Sequence, residues 1–401
     1  MAWGVSSTAA GLPNDDAALG RSLTDLLQCL VRIPSRAGVD DCGVIFACIR
    51  EWLAGKGVAS EVLTGAGGPL ALLAPVVDVR ARPVLLLNAT ADTAGFGEIT
   101  SWRHTPLSGT IEDGWLYGRG SADSKAGIAV FCHLLAAHAG CDGGGGLGCV
   151  FDADEHSGGF AGVRAALARH ASLPEAVLIG YPGMDRIMAG ARGVWRATVT
   201  VHGSAAHSGA SQDRGNNAVA WAAALTTALA ALHDEWRACV TVDSPLAPKL
   251  TVTGIRGGGE FSLVPDRCEI DIDIRVTPRL PAAAAEARVR AVLAAAGADA
   301  DLAVRVTWPA YRLPPASPLV RALADAAQHV LGTRPPAAIA GPSNVGNLLA
   351  GLGVPATCGF GVVYRNVHAA DECVELASLI PVHHIYDLAV QRLLGPAGTR
   401  A

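Results

Sequence analysis

Residues 113–127 read DGWLYGRGSADSKAG. The glycines at 114, 118 and 120 mark a turn, and the apolar segment that follows, 124–139, reads as a helix. Upstream, 84–88 is a short apolar run with abrupt ends, the pattern of a strand buried in a parallel sheet. Downstream, 147–152 reads as a second strand and 158–169 as a second helix. Ahead of them, the segment 16–33 places Leu19, Leu23, Leu26, Leu27 and Leu30 on one helical side. Strands alternating with helices imply an α/β layered domain.

The pattern changes after about residue 190. Strands are expected at 194–202, 249–255, 267–276 and 303–307, with helices at 217–236 and 281–296. The resulting order, β-α-β-β-α-β, is the split βαβ arrangement. It predicts a small α+β domain at 190–306, inserted into a larger one formed by 1–189 and 307–401. No internal repeat is present. The run Gly143–Gly146 is expected to be a turn, because it lacks the spacing of a phosphate-binding loop.

Composition narrows the function. Half of the 401 residues are hydrophobic and 17% are charged, which suits a folded chain. The net charge of -5, with no basic block, argues against nucleic acid as a partner. No uncharged apolar run reaches the ~20 residues that span a bilayer. The N-terminal stretch has neither a basic head nor an apolar core, so no signal peptide is expected. The ten cysteines form no CxxC pair and are expected to be free thiols. Together these features predict a cytoplasmic protein.

Loops that follow parallel strands gather functional groups at one sheet edge. LLLNATADTAG (85–95) carries Asp92, the opening stretch carries Asp123, and FDADEHSGG (151–159) carries Asp154, Glu155 and His156. YRNVHAADE (364–372) carries His368 after another apolar run. Carboxylates and imidazoles at such strand ends can surround one divalent ion. Taken alone, each acid is as well explained as a helix cap.

In combination these motifs resemble the M20 family of metallopeptidases and deacylases, which includes acetylornithine deacetylase, succinyl-diaminopimelate desuccinylase and carboxypeptidase G2. DGWLYGRGSADSKAG is similar to the family signature dGklyGRGxxDmKgg, and DEHSGG to DEExGg. The tryptophan and proline of WRHTP, GARGVWRATVTVHGSAAHSG, DRGNNAV, VPDRCEIDIDIRVTP and VHAADE match further family segments in order, over roughly residues 20 to 395. The resemblance implies a zinc-peptidase-like three-layer α/β catalytic domain with an inserted ferredoxin-like lid, through which family members usually form homodimers.

It also implies site residues. Asp123 matches the family's bridging aspartate, while His156 and His368 stand at two further ligand positions, so all three are expected to hold metal. The remaining two family ligands, the histidine of GHxD and the acid of GEP, correspond to Thr90 and Tyr181. Neither is a good ligand, since a hydroxyl is neutral and a phenol resists deprotonation at neutral pH. One divalent transition metal per site is therefore expected, as Zn, Mn, Co, Fe or Ni. Glu155 matches the general base, and His207 a lid histidine that stabilises the oxyanion from the partner subunit. Arg275 matches the arginine that pairs with a substrate carboxylate. Arg192, Asn217, Thr90 and Tyr181 are further candidates for substrate contact. Asp92 and Asp154 are expected to support the ligands, with a buried cap as the competing role for Asp92. Ser343 and Asn344, in GPSNVGN, are candidates to line the pocket.

The expected activity is metal-dependent hydrolysis of a C–N bond in a small carboxylate-bearing N-acyl amino acid or dipeptide, with Glu155 moving the proton. Two alternatives stay open. One is release of ammonia from an aromatic amine such as 5-nitroanthranilate, as in one branch of the family. The other is a ligand-binding protein without catalysis.

Overall fold

A computed structural model describes residues 14–74, 85–139, 146–169, 172–211, 215–237, 240 and 245–395. The chain divides into two compact units. Unit 1 comprises 1–187, 315–337 and 359–401, and unit 2 comprises 188–314 and 338–358.

Unit 1 is built on a five-stranded sheet in the order Glu61–Gly65, Gly68–Ala74, Leu147–Asp152, Leu85–Thr90, Ala176–Ile179. Leu85–Thr90 pairs in parallel with Leu147–Asp152 and with Ala176–Ile179. Its six residues are all buried, which is why the sequence shows an apolar block there and not an alternation. Gly68–Ala74 pairs antiparallel with Leu147–Asp152, so the sheet is mixed. The helix Ala126–His138 packs on Leu85–Thr90 and Leu147–Asp152, and Leu379–Leu394 packs on that helix. Gly127 permits a close approach of backbones. A Cβ there would lie 2.7 Å from the carbonyl oxygen of Gly180. The opening helix spans Asn14–Arg32, burying Leu23, Leu26, Leu27 and Leu30. A smaller antiparallel sheet joins Thr110–Glu112, Trp115–Tyr117, Cys373–Glu375 and Tyr364–Arg365.

Unit 2 holds four antiparallel strands in the order Lys249–Gly257, Arg267–Val276, Gly193–His202, Ala300–Trp308. With the helices Ala218–Arg237 and Ala282–Ala296 they form the split βαβ arrangement. Arg267–Val276 alternates strictly, turning Cys268, Ile270, Ile272, Ile274 and Val276 inward. Ala218, Ala222, Leu225, Leu229, Leu232 and Trp236 form the matching stripe on the longer helix.

The segment 338–358 was expected with the larger domain but belongs to unit 2. Backbone bonds tie its ends there: Arg192 N donates to Ala340 O at 3.1 Å and Cys358 N to Met188 O at 2.7 Å. Most of the turn expected at 143–146, the DR of DRGNNAV, and Cys141 and Cys239 lie outside the described residues. The eight described cysteines are free thiols. No helix among the described residues is long and apolar enough to cross a membrane.

Candidate metal centre

Four loops of unit 1 converge. The strand Leu85–Thr90 ends just before Asp92, and the strand Leu147–Asp152 just before Glu155 and His156. Because these strands are parallel, their carboxyl ends share one sheet edge. Asp123 sits in the short turn Ser121–Lys125, where it and Ser124 leave helical geometry at φ -115° and -136°. The turn is entered through Gly120 at φ 79°, where a Cβ would lie 2.4 Å from the Thr93 methyl carbon. His368 occupies a loop in which Asn366, His368 and Asp371 all take left-handed φ, between 55° and 63°. That loop is anchored by Asp371, whose Oδ1 accepts from the backbone N–H groups of Arg103 and His104 at 2.9 and 3.1 Å.

The side chains meet at close range. His368 Nε2 lies 3.0 Å from Asp123 Oδ2, and His156 Nε2 lies 3.4 Å from His368 Nε2. One donor atom from each residue falls within 4.8 Å of the others. Asp123 is buried, His156 half-buried and His368 exposed. Two imidazole nitrogens and a carboxylate oxygen turned toward one point suit a divalent transition ion.

Asp92 is fully buried and forms the backing of the centre. Its Oδ2 accepts from His156 Nδ1 at 3.0 Å and from His156 N at 3.1 Å. Its Oδ1 accepts from the Thr90 hydroxyl at 2.6 Å and from Glu155 N at 3.2 Å. Burial alone would raise the Asp92 carboxyl, but the hydrogen bonds and charge of His156 hold it below the usual range. Burial likewise works against a charged His156, yet Asp92 and Glu155 raise it to about 9 in the ion-free protein. Glu155 Oε2 stands 3.7 Å from His156 Nδ1. Burial and the neighbouring acids push Glu155 well above the carboxylate range. A cation at the three donors opposes that shift, and a base can then ionise.

Asp123 has its own support. Glu372 Oε1 accepts from the backbone N–H groups of Ala122 and Asp123 at 3.0 and 3.3 Å, and Oε2 pairs with Arg119 Nη1 at 2.7 Å. Nearby, burial brings Lys125 down to about 8, with its Nζ donating to Ile33 O at 2.8 Å. Of the other expected site residues in unit 1, Asp154 Oδ2 accepts from Ala161 N at 2.7 Å, at the start of a helix. Its Oδ1 and backbone carbonyl accept from the Ser157 hydroxyl, so Asp154 braces its own loop and the helix that follows. Thr90 is buried between Asp92 and Asp152, with Oγ1 3.0 Å from Asp152 Oδ1. Tyr181 lines an apolar crevice with Ala122, Gly180, Phe360 and Val362.

The candidates of unit 2 have distinct local settings. His207 is exposed, and its Nδ1 accepts from Gly209 N at 3.0 Å, which leaves the ring hydrogen on Nε2. Arg275 grips Asp273 through Nε and Nη2 and reaches Ser343 Oγ at 3.3 Å through Nη1. Arg192 donates to Gly341 O and Ala247 O at 2.9 and 2.8 Å, and burial and Arg275 lower its pKa. Asn217 Oδ1 accepts from Val219 N and Ala220 N, capping the long helix. Asn344 caps another helix through Gly346 N.

Sequence reasoning did not single out Asn88, Asp152, Arg119 or Glu372. Asp152 had a signal: a charged residue closing an otherwise apolar strand at 147–152. Glu372 lay within the VHAADE motif, but only the fold shows that it supports Asp123, 249 positions away.

Residues 86–392 match peptidase family M20/M25/M40. The chain belongs to this family. It is 27% identical to a succinyl-diaminopimelate desuccinylase of Gluconobacter oxydans over 396 residues, covering 94% of this chain and 97% of the relative. It is 26% identical to one of Methylobacillus flagellatus over 323 residues, or 78% and 84%. Among solved structures, the M20 metallo-carboxypeptidase Sso-CP2 of Sulfolobus solfataricus superposes with a TM-score of 0.76 at 17% identity, covering 93% of this chain and 99% of that one. The Bacillus subtilis YXEP protein, described as a dinuclear metal-binding peptidase, superposes at 0.64 with 15% identity, covering 93% and 98%. This M20 chain is thus a hydrolase of a metal-dependent family, and its fold is the family's.

Proposed function

We propose that this M20 chain hydrolyses the amide bond of a small carboxylate-bearing N-acyl amino acid or dipeptide, using one divalent transition ion held by Asp123, His156 and His368. The observation that carries the proposal is the convergence of these three donors, with Glu155 beside His156. An ion bound there supplies Lewis acidity toward the scissile carbonyl and the attacking water. Glu155 takes a proton from that water and returns it to the departing nitrogen, so the new C–O bond forms and the C–N bond breaks. The desuccinylase relatives support an N-acyl substrate. One ion is favoured over two because Thr90 has its hydroxyl engaged by two carboxylates.

The roles proposed for unit 2 rest on each residue's own hydrogen bonding. His207 offers an N–H to a developing oxyanion, and Arg275 retains donor capacity for a substrate carboxylate. Homodimerisation through unit 2 and a cytoplasmic location complete the proposal.

Release of ammonia from an aromatic amine is a second reading, motivated by Tyr181 standing where the family has an acidic metal ligand. A screen of N-acyl amino acids, dipeptides and arylamines with Zn, Mn, Co, Fe and Ni separates the two. Cleavage of the first two classes is expected, and activity confined to arylamines would overturn the amide assignment. Metal analysis at saturation should give one ion per chain, and two would refute the single-ion site.

A further inference from the structure

Behind His156, four buried side chains form a continuous line for which the reaction above has no use. Asn88, Thr90, Asp92 and Asp152 are each 5% exposed or less. Asn88 Nδ2 donates to the Val150 carbonyl at 3.1 Å and to Asp152 Oδ2 at 2.7 Å. A carbonyl only accepts, so this end of the Asn88 amide is its NH₂ and Asp152 Oδ2 is an acceptor. Asp152 Oδ1 lies 3.0 Å from Thr90 Oγ1, which lies 2.6 Å from Asp92 Oδ1. Asp92 Oδ2 then meets His156 Nδ1 at 3.0 Å.

Counting hydrogens sets the direction of the line. The Thr90 hydroxyl has one hydrogen and two carboxyl neighbours. Its shorter contact, to Asp92, has the length of a hydroxyl bonded to a charged oxygen. Asp152 Oδ1 is left facing an oxygen with no hydrogen to give. The contact closes when Asp152 itself carries the hydrogen. The reverse assignment, with the acid on Asp92, fails because three N–H groups already donate to Asp92. Burial, reinforced by the charge of Asp92, raises Asp152 to about 7, in the same sense. The charged groups around Asp152 are Asp92 and His156, with Glu155 on the same loop.

We propose that Asp152 is a positioning residue whose carboxyl carries the hydrogen of its contact with Thr90 and, through Thr90, fixes Asp92 as a one-way acceptor. His156 thereby keeps its hydrogen on Nδ1 and presents Nε2 toward Asp123 and His368. The proposal rests on the reading of His156 as a metal ligand, and its tests are chosen to separate the two.

Infrared difference spectra of the metal-free full chain, at mildly acidic pH, compare wild type with Asp152→Asn. The carbonyl band of a protonated carboxylic acid is expected in the wild type and absent from the variant. Histidine-labelled NMR of the Zn²⁺-loaded chain, in which an ion on one ring nitrogen leaves a single hydrogen on the other, then reads the His156 tautomer. Nδ1–H is expected in the wild type, in Asp152→Asn, whose amide donates to Thr90 as the acid did, and in Thr90→Ser, which keeps the hydroxyl. Thr90→Val should give mixed tautomers and bind Mn²⁺ ~10–100-fold more weakly, the usual cost of losing support behind a metal-bound imidazole. Rescue by Thr90→Ser distinguishes a broken line from a misfolded chain. No acid band removed by Asp152→Asn, or an unchanged His156 tautomer in Thr90→Val, overturns the proposal. The expected acid band in a chain that binds neither Zn²⁺ nor Mn²⁺ would leave the line standing and sink the metal assignment.

Discussion

Glu372→Ala tests how Asp123 is held. The carboxylate of Glu372 is 1% exposed and pairs at 2.7 Å with Arg119, itself 2% exposed. It also accepts from the N–H groups of Ala122 and Asp123, at 3.0 and 3.3 Å. Removing it strands a guanidinium in the interior, which costs about 3–5 kcal/mol when one partner of a buried pair is deleted. A domain of this size shifts by roughly 2–4 °C per kcal/mol, so the unfolding transition of unit 1 should fall by about 6–20 °C. Glu372→Gln keeps the volume and one acceptor oxygen and should fall by less. The backbone support of Asp123 is also lost in Glu372→Ala, so hydrogen exchange at residues 119–125 should accelerate beyond the global change. Calorimetry of the metal-free proteins, followed by exchange with mass-spectrometric readout, measures both. A Glu372→Ala transition within about 2 °C of wild type would refute the reasoning, because it would mean that Arg119 is not an uncompensated buried charge.

Three further outcomes follow from the same geometry. Glu155→Gln should lower kcat by ~10²–10⁴-fold while metal content is unchanged, the signature of a lost general base, and equal turnover would remove that role. Asp152 has a raised pKa in the folded chain, so its contribution to stability is complete below its unfolded value and is lost as pH rises through about 7. Wild-type stability should therefore decline between mildly acidic and neutral pH with an added slope that Asp152→Asn lacks, and identical slopes in thermal melts would contradict this. Leu229→Ala, in the fully buried stripe of the helix Ala218–Arg237, should destabilise unit 2 by about 2–5 kcal/mol in denaturant titrations, with no change in Mn²⁺ affinity at unit 1.

Much of this architecture was legible because its periods are strong. The alternation at 267–276 and the spacing along 218–237 each admit one element, and both occur as expected. The parallel strands Leu85–Thr90 and Leu147–Asp152 were legible as apolar blocks, and the loops after them as sites of chemistry, whereas the four-residue strand Ala176–Ile179 was not singled out. Two kinds of feature were hidden. The antiparallel pairing of Gly68–Ala74 with Leu147–Asp152 depends on contacts that no local pattern encodes. The return of 338–358 to unit 2 rests on backbone bonds at Arg192 and Met188, which side-chain periodicity does not record. At the centre, the ligand types were readable one by one, but the acceptor for His156 was not. Asp92 could equally have been a cap until its 3.0 Å bond to Nδ1 was seen.

That bond gives a physical reason why two departures from the family pattern occur together. The resemblance places a histidine at position 90, two residues before Asp92, and a glutamate at 156. This chain has Thr90 and His156 instead. An imidazole that binds metal through one nitrogen needs an acceptor for the hydrogen on the other, whereas a carboxylate ligand does not. Thr90 hands its hydrogen to Asp92 Oδ1 and leaves Oδ2 for His156. Thr90→Val would break that line, and Thr90→His would do more, since a second imidazole would compete for the same buried carboxylate. Restoring the family's histidine alone should therefore not build a second site. Thr90→His is expected to hold no more than one ion per chain and to bind Mn²⁺ ~10–100-fold more weakly than wild type. Metal analysis showing two ions in Thr90→His, with wild-type affinity for the first, would show that Asp92 can serve both positions and that the two substitutions are independent.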